Sequence, residues 1–205
     1  MKKIIFVPFS FFLLFGSTTQ VEVQLTVVDN NLDWVNLQYP SEGSIRTGTN
    51  YDVYSRVYEP GVTNATGQGS NIQAWIGYST SDSDPGSNSW QWVTANYHAD
   101  VDNNDEYKAN IGSVITSAGT YYYASRFSID GGETYRYGGH SSDGGGIWNG
   151  STYKSGVLTI IANQAPVLTD ISNQTMTEDN SLSLNISATD ADNDQLTYSI
   201  TGGSS

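Results

Sequence analysis

The chain has 205 residues, a formal net charge of −13 and no cysteine. A chain this acidic lacks the basic footprint with which proteins bind nucleic acids and anionic membranes, so we expect neither as a partner. The lack of cysteine excludes a disulfide framework and thiolate metal sites. A chain without disulfides must bury a hydrophobic core, and this one is long enough to do so.

The first twenty residues have the pattern of a secretory signal peptide. Lys2 and Lys3 precede a mostly apolar run from residue 4 to residue 15, and small residues follow it. Such a run is too short to cross a bilayer comfortably as a helix, and this order of segments is typical of a leader that is removed. We therefore predict a signal peptide at residues 1–20, a secreted or cell-surface protein, and no membrane insertion once the leader is removed.

Residues 21–161 read as a series of short β-strands. Apolar and polar residues alternate with period two in most segments, and no segment sustains a helical period. Turn signals separate the segments, and one of them, at residues 130–132, predicts a hairpin. The acidic run 98–106 reads as a loop between two strands. Eight or nine such strands predict an all-β, antiparallel β-sandwich domain over residues 21–161.

Three consecutive tyrosines, Tyr121 to Tyr123, follow a turn at Gly119. This segment is similar to the strand of immunoglobulin and fibronectin type III folds in which a tyrosine hydroxyl bonds back to the backbone of the preceding corner. The resemblance implies an immunoglobulin-like sandwich. The alternative is a row of tyrosines that stack on sugars.

The composition changes after the apolar segment that ends at Ile161. Residues 162–166 form a predicted linker, because Pro166 lacks an N–H and favours extended backbone before it. Residues 167–205 contain no Trp and many Asp, Asn, Ser and Thr residues. From Gln164 onward the chain resembles the start of a bacterial cadherin-like (dystroglycan-type) repeat. The resemblance implies a truncated second β-sandwich repeat, an incomplete cadherin-like domain.

Within that resemblance, Glu178, Asp190 and Asp192 match positions at which cadherins bind calcium between domains. The resemblance therefore implies Ca²⁺ as a cofactor. The acidic linker of cadherins is missing, because residues 160–164 contain no carboxylate. Water or backbone carbonyls would have to supply most of the roughly six to eight oxygen ligands that calcium prefers. The alternative is that these acidic residues form a polar turn.

A second candidate calcium site contains Asp100 and Asp102. With Asn104 they occupy positions one, three and five of an EF-hand loop, but Asp105 stands where glycine is required and Ile111 where glutamate is required. The segment is therefore not an EF-hand. A looser oxygen-ligand site stays open, and the alternative is a solvated turn in which Asp and Asn bond their own backbone.

The sequence contains no recognisable catalytic pattern. His98 and His140 lack metal-ligand spacing, and no Gly-x-Ser-x-Gly nucleophile elbow is present. A pair of carboxylates chosen from 21 acidic residues carries no information about glycosidic chemistry. We therefore predict that these residues have no enzymatic activity.

Carbohydrate binding would account for the many aromatic residues, five Trp and fourteen Tyr. Sugar faces stack on aromatic rings while polar loop residues bond the hydroxyls. Trp90 and Trp148 border polar or glycine-rich loops and are the candidate ligand contacts, with core packing as the alternative for each. Trp75 lies between apolar strand residues, so we expect it in the core.

These observations predict a non-catalytic module of a secreted or cell-surface multidomain protein that acts in adhesion, extension or substrate attachment. The alternative is a carbohydrate-binding accessory domain of an extracellular hydrolase whose catalytic domain lies outside these residues. The expected partner is a polysaccharide or a cell-surface protein, together with other domains of the same chain.

Overall fold

The computed structural model describes residues 31–199, so the predicted signal peptide and the predicted strand before residue 30 lie outside the described residues. Strands and turns make up this part of the chain, and no segment of it is a helix that could span a membrane. The strands are, in chain order, β1 (Trp34–Tyr39), β2 (Glu42–Arg46), β3 (Asp52–Tyr58), β4 (Gln73–Ser79), β5 (Gln91–Val101), β6 (Asn104–Asn110), β7 (Gly119–Ser128), β8 (Arg136–Gly139), β9 (Gly146–Ile147), β10 (Gly156–Ile161), β11 (Val167–Leu168) and β12 (Ala188–Thr189).

Ten strands form one curled sheet in the order β1-β3-β6-β5-β4-β7-β10-β2, with β8 beside β7 and β9 beside β8. All of its pairings are antiparallel except that of β2 with β10. The long strand β5 joins the two halves of the sheet, because Gln91–Ala95 pairs with β4 and the residues from Asn96 onward pair with β6. The sheet therefore folds into two layers.

Strand β1 packs against β7 and β8 and so brings the two layers together. Ser125 on β7 donates a hydrogen bond from Oγ to the carbonyl oxygen of Asn36 at 2.8 Å. Gly138 on β8 lies so close that an added Cβ would be 2.5 Å from the carbonyl carbon of Asn36. Only glycine fits this close approach of two backbones. The all-β, mostly antiparallel, sandwich-like fold predicted from the sequence is confirmed.

The core lies between the layers because alternate residues of each strand point inward. Two of its largest fully buried side chains, Tyr107 and Phe127, meet edge to face with ring centroids 5.6 Å apart. Aliphatic side chains from both layers belong to the same core, among them Val35, Leu37, Val53, Val57, Ile76, Ile111, Leu158 and Ile160.

The tyrosine corner expected before β7 is present. The hydroxyl of Tyr121 donates to the carbonyl oxygen of Ser117 at 3.0 Å, four residues earlier in the chain. Tyr121 is 8% exposed and Tyr123 is fully buried. The structural interpretation of these tyrosines is therefore confirmed, and the alternative of a sugar-stacking row is wrong for these two rings.

Two segments differ from the predicted strand pattern. The acidic run 98–106 is a hairpin rather than a loop, with a tight turn in which Asp102 has a φ of 56°. Acidic residues fit here because their carboxylates accept backbone N–H groups of a neighbouring loop. The segment after Pro40 forms β2, which pairs in parallel with β10 although the sequence predicted an antiparallel sandwich.

Residues 162–199 contain one strand pairing, between β11 and β12. Their apolar side chains are largely open to solvent, as at Val167, 67% exposed, and Met176, 59% exposed. β10 ends at Ile161, where the predicted first domain ends. The division into a domain at 21–161, a linker at 162–166 and a second domain at 167–205 stays a prediction.

Candidate functional site

An open groove of about 470 Å³ lies where four separate segments of the chain meet. These segments are the chain entering β1, the loop between β4 and β5, the start of β8 and the end of β9. Aromatic and polar residues make up most of the groove, which is lined by Asn31, Asp84, Gly86, Tyr135, Arg136, Tyr137, Ile147 and Trp148.

Trp148 is held in the groove by the turn that follows β9. Its indole N–H donates to Oγ of Ser155 at 3.2 Å. The side-chain oxygen of Asn149 accepts the backbone N–H of Tyr153 at 3.0 Å and so closes the turn. Gly150 has a φ of 72°, and an added Cβ would lie 3.1 Å from the Trp148 ring. The turn therefore packs against one side of the Trp148 ring.

Tyr137 lies next to Trp148 in the groove, because the backbone N–H of Trp148 donates to the carbonyl oxygen of Tyr137 at 2.9 Å. Its ring packs against Trp92 with centroids 5.9 Å apart. Burial raises the pKa of Tyr137, the charge of Arg126 lowers it by a smaller amount, and Asp84 raises it further. The hydroxyl therefore stays protonated at neutral pH and can donate a hydrogen bond. Asp84 also accepts the N–H of Gly86 at 2.8 Å, which fixes the loop beside Tyr137.

A stacked cluster around Arg126 supports the groove from the outer face of the sheet. The guanidinium carbon of Arg126 lies 4.2 Å from the ring centres of Trp92 and Tyr135 and 4.8 Å from that of Trp75. Burial lowers the pKa of Arg126, and its Nε has no hydrogen-bond partner in the described structure. Aromatic faces stabilise a cation at these distances. Because the guanidinium covers ring faces, the cluster positions the groove residues instead of offering an open stacking surface.

The side chain of Trp90 is buried, whereas the sequence analysis named Trp90 as a candidate ligand contact. Its side chain is 4% exposed, stacks on Trp92 at 6.0 Å and donates from Nε1 to Oγ of Ser83 at 3.2 Å. The expectation of an accessible ring is therefore wrong for Trp90, because the polar loop before it folds over the ring. Trp148 does line the groove, and its contact with a ligand stays a prediction.

Trp75 also differs from its expectation. It points away from the core, because its neighbours Ala74 and Ile76 occupy the inward positions of β4. Its ring is half-buried and meets Tyr135 edge to face at 5.6 Å. The alternation of the strand contained this information, since residues 74 and 76 share a face that residue 75 cannot share.

The two candidate calcium ligands of the β5–β6 hairpin, Asp100 and Asp102, make different contacts. Asp100 accepts the N–H of Gly67 at 3.0 Å and the hydroxyl of Tyr97 at 2.6 Å. The tyrosine hydrogen bond lowers the pKa of Asp100 and raises the pKa of Tyr97 to about 12. Asp102 is exposed in the turn. Asp100 thus fixes the loop before β4.

Asp105 is a buried acid that the sequence analysis did not single out. Its side chain is fully buried, and Oδ2 accepts the N–H of Gly69 at 2.6 Å. Oδ1 has no partner in the described structure. Burial raises the pKa of Asp105, although the hydrogen bond from Gly69 opposes the shift. Asp105 lies two residues before the buried Tyr107 on β6, so both side chains point to the same face. This alternation was the signal for burial in the sequence.

The acidic residues after the linker make contacts of two kinds. Asp190 accepts the N–H groups of Asp192 at 2.8 Å and Asp194 at 3.2 Å, so it caps its own turn. Asp192 forms an ion pair with Arg46 and accepts the N–H of Gln164 at 2.6 Å from the linker.

Glu178 is exposed in a separate turn. Between residues 31 and 199, no three His, Cys, Asp or Glu side chains are grouped as a metal site would require. Calcium binding by Glu178, Asp190, Asp192, Asp100 and Asp102 stays a prediction.

The fold and the groove define an all-β module with a surface site of aromatic and hydrogen-bonding side chains. No protein-family model matches the chain. An amylopullulanase of Thermoanaerobacterium saccharolyticum is 34% identical over 135 residues, which are 58% of this chain and 9% of that protein. An amylopullulanase of Thermoanaerobacterium thermosulfurigenes is 35% identical over 135 residues, 58% of this chain and 6% of that protein.

A third similar protein is the amylopullulanase of Thermoanaerobacter thermohydrosulfuricus, 32% identical over 102 residues, which are 42% of this chain and 7% of that protein. The chain thus spans less than a tenth of the length of these relatives. The similarity is therefore to a short segment of much longer proteins.

Proposed function

We propose that this chain is a non-catalytic accessory module of a secreted polysaccharide hydrolase, and that it attaches the hydrolase to a neutral α-glucan through the groove at Trp148. This proposal develops the second of the two functions expected from the sequence. Adhesion through a cell-surface protein is the weaker candidate, because the similar proteins carry the names of enzymes that act on polysaccharides.

The observation that carries the proposal is the arrangement of the groove. Trp148 and Tyr137, on neighbouring paired segments, contribute aromatic rings to the groove, and Asn31, Asp84 and Arg136 contribute hydrogen-bonding groups. Sugar rings are recognised in this way, by stacking of their C–H faces on aromatic rings and by hydrogen bonds to their hydroxyls. An open groove can accept part of a long polymer chain.

Attachment of the hydrolase to its substrate requires no catalytic step in the module itself. Attachment holds the hydrolase near its substrate and raises the local concentration of glycosidic bonds at a distant active site. Arg136, Tyr137 and Ile147 lie on β8 and β9, and the hydrogen-bonded turn after β9 holds Trp148, so these side chains are positioned before a ligand binds. The support for a role without catalysis is that the matching segments are small parts of the relatives.

The test is affinity electrophoresis of the protein in gels that contain pullulan, soluble starch or hydroxyethyl cellulose. We expect retardation by the two α-glucans and none by the cellulose derivative. Trp148→Ala should strongly reduce the retardation, because stacking of one sugar on one ring contributes a large part of such binding. Migration of the wild-type protein at the same rate in all three gels would refute the proposal.

Tyr198→Ala is a matched control, because Tyr198 is an exposed aromatic residue outside the groove, 59% accessible. Its retardation should equal that of the wild-type protein. Circular dichroism of each variant separates lost binding from lost folding.

A further inference from the structure

A second aromatic surface lies on the other layer of the sandwich. The tyrosine patch consists of Tyr39 at the end of β1, Tyr54 on β3 and His98 on β5. The rings of Tyr39 and Tyr54 are 6.4 Å apart with an interplanar angle of 40°. His98 meets Tyr54 edge to face at 5.3 Å. Tyr39 is 65% exposed, which is high for an aromatic side chain on a strand.

The charged groups around the tyrosine patch are paired with one another. Lys108 lies 5.7 Å from the centre of the Tyr54 ring and 3.1 Å from a carboxylate oxygen of Asp52. Arg56 donates from Nε to Glu106 at 2.8 Å. Two cations and two anions therefore cancel, and the patch carries no net charge although the whole chain is strongly acidic. Such a surface matches a neutral ligand better than an ionic one.

The paired side chains also keep the rings in fixed positions. Glu106 is largely buried and holds Arg56 against the sheet, and its other carboxylate oxygen lies 4.0 Å from Nε2 of His98. Arg56 lies on β3, Glu106 on the adjacent strand β6, and His98 on β5, which pairs with β6. Fixed rings beside fixed hydrogen-bonding groups cost little entropy on binding.

The tyrosine patch and the groove lie beside different parts of β1. Tyr39 is the last residue of β1, whereas the groove residue Asn31 precedes the strand and the groove residue Tyr137 adjoins Gly138, which packs against Asn36. At a rise of about 3.3 Å per residue, Asn36 and Tyr39 are about 10 Å apart along the strand. One polymer chain, or two neighbouring chains of a granule, can therefore contact both surfaces.

We propose that the tyrosine patch is a second binding site for a neutral polysaccharide, so that the module contacts the polymer at two places. This inference rests on the proposed function of the groove. Two linked contacts bind a polymer more tightly than either contact alone, because the second contact forms at high effective concentration. A short oligosaccharide cannot reach both sites, so it should occupy each of them independently.

The experiment is isothermal titration of the full chain with maltotriose, followed by pullulan binding in affinity gels. We expect two maltotriose molecules per wild-type chain, and one per chain for both Tyr39→Ala and Trp148→Ala. Each of these variants should bind pullulan at least tenfold more weakly than the wild-type protein. The variant with both substitutions should bind neither ligand.

The outcomes distinguish the two sites. If Tyr39→Ala keeps the stoichiometry and pullulan affinity of the wild-type protein, as expected of the control Tyr198→Ala, the inference about the tyrosine patch is overturned and the groove stands. If Tyr39→Ala abolishes binding while Trp148→Ala has no effect, the proposed function of the groove fails and the patch is the glycan site. A wild-type protein that binds neither probe overturns both. Tyr39→Phe, which retains the ring, should keep both the stoichiometry and the affinity.

Discussion

Replacement of Trp92 by Ala should destabilise the module more than replacement of Trp75, although the sequence analysis expected Trp75 to lie in the core. Trp92 stacks on Trp90, packs against Tyr137 and covers Arg126 at 4.2 Å. The Trp92 ring also lies flat on the sheet, because an added Cβ on Gly77 would be 2.7 Å from its atoms. Trp75 has two such contacts, with Arg126 and Tyr135.

The expected loss in the free energy of unfolding follows from these contacts. Each aromatic pair contributes about 1 kcal/mol beyond buried area, and a cation over a ring contributes about 1 kcal/mol. Trp92→Ala therefore removes about 3 kcal/mol before the loss of buried surface is counted, which agrees with the range of ~3–5 kcal/mol for large aromatic deletions. For Trp75→Ala, the two contacts amount to about 2 kcal/mol.

Thermal unfolding followed by circular dichroism tests this order. A loss of about 3 kcal/mol lowers the Tm of a domain of this size by roughly 6–12 °C. The Tm of the Trp75→Ala variant should fall by about half as much. A Trp92→Ala variant that melts within 2 °C of the wild-type protein, or above the Trp75→Ala variant, would show that the stacked cluster does not stabilise the sheet.

Three further predictions concern single carboxylates. Burial raises the pKa of Asp105 in the folded state, so the stability that this residue contributes is present below its unfolded-state pKa and is lost as pH rises through its folded-state pKa. The Asp105→Asn variant should therefore resist urea better than the wild-type protein at pH 7, with a smaller difference at pH 4. An equal gain in stability at both pH values would contradict this prediction. Hydrogen bonds from Thr134 and Ser128 lower the pKa of Asp130 to about 2. The stability that Asp130 contributes is therefore present above its unfolded-state pKa and is lost as pH falls toward 2. Urea titrations should find the Asp130→Asn variant less stable than the wild-type protein at pH 7 and equally stable near pH 2. Asp192→Asn should speed amide exchange at Gln164, because the neutral amide is a weaker acceptor for the Gln164 N–H and no longer forms the ion pair with Arg46, and exchange as slow as in the Asp194→Asn control would argue against the hydrogen bond between Gln164 and Asp192.

Features that depend on local alternation were predictable from the sequence. The strands, the two-layer fold and the tyrosine corner at Tyr121 follow from period-two patterns and from turn residues close to them in the chain. The parallel pairing of β2 with β10 was not predictable, because it joins residues more than a hundred positions apart. The burial of Asp105 likewise depends on a loop that reaches it from residue 69.

The groove was predictable only in part. Trp148 was identified from the glycine-rich loop before it, and it does line the groove. Tyr135, Tyr137 and Asp84 were not singled out, because four distant segments must fold together before these side chains meet. Trp90 was misplaced for a related reason, since the alternation of a strand does not say whether the adjacent loop will fold over a ring.

The position of β10 determines how the module would carry mechanical load. β10 is the last strand before the linker, and it pairs over five residues with β2 on one side and over five residues with β7 on the other. The carbonyl oxygen of Ile161 at its end accepts both the N–H and the hydroxyl of Thr47, at 2.9 and 3.1 Å. A pull on the linker acts along the strand, so both ladders are loaded in shear and their hydrogen bonds must break together. A glycan held on the sandwich could thus remain attached while the rest of the chain is drawn away through residues 162–166.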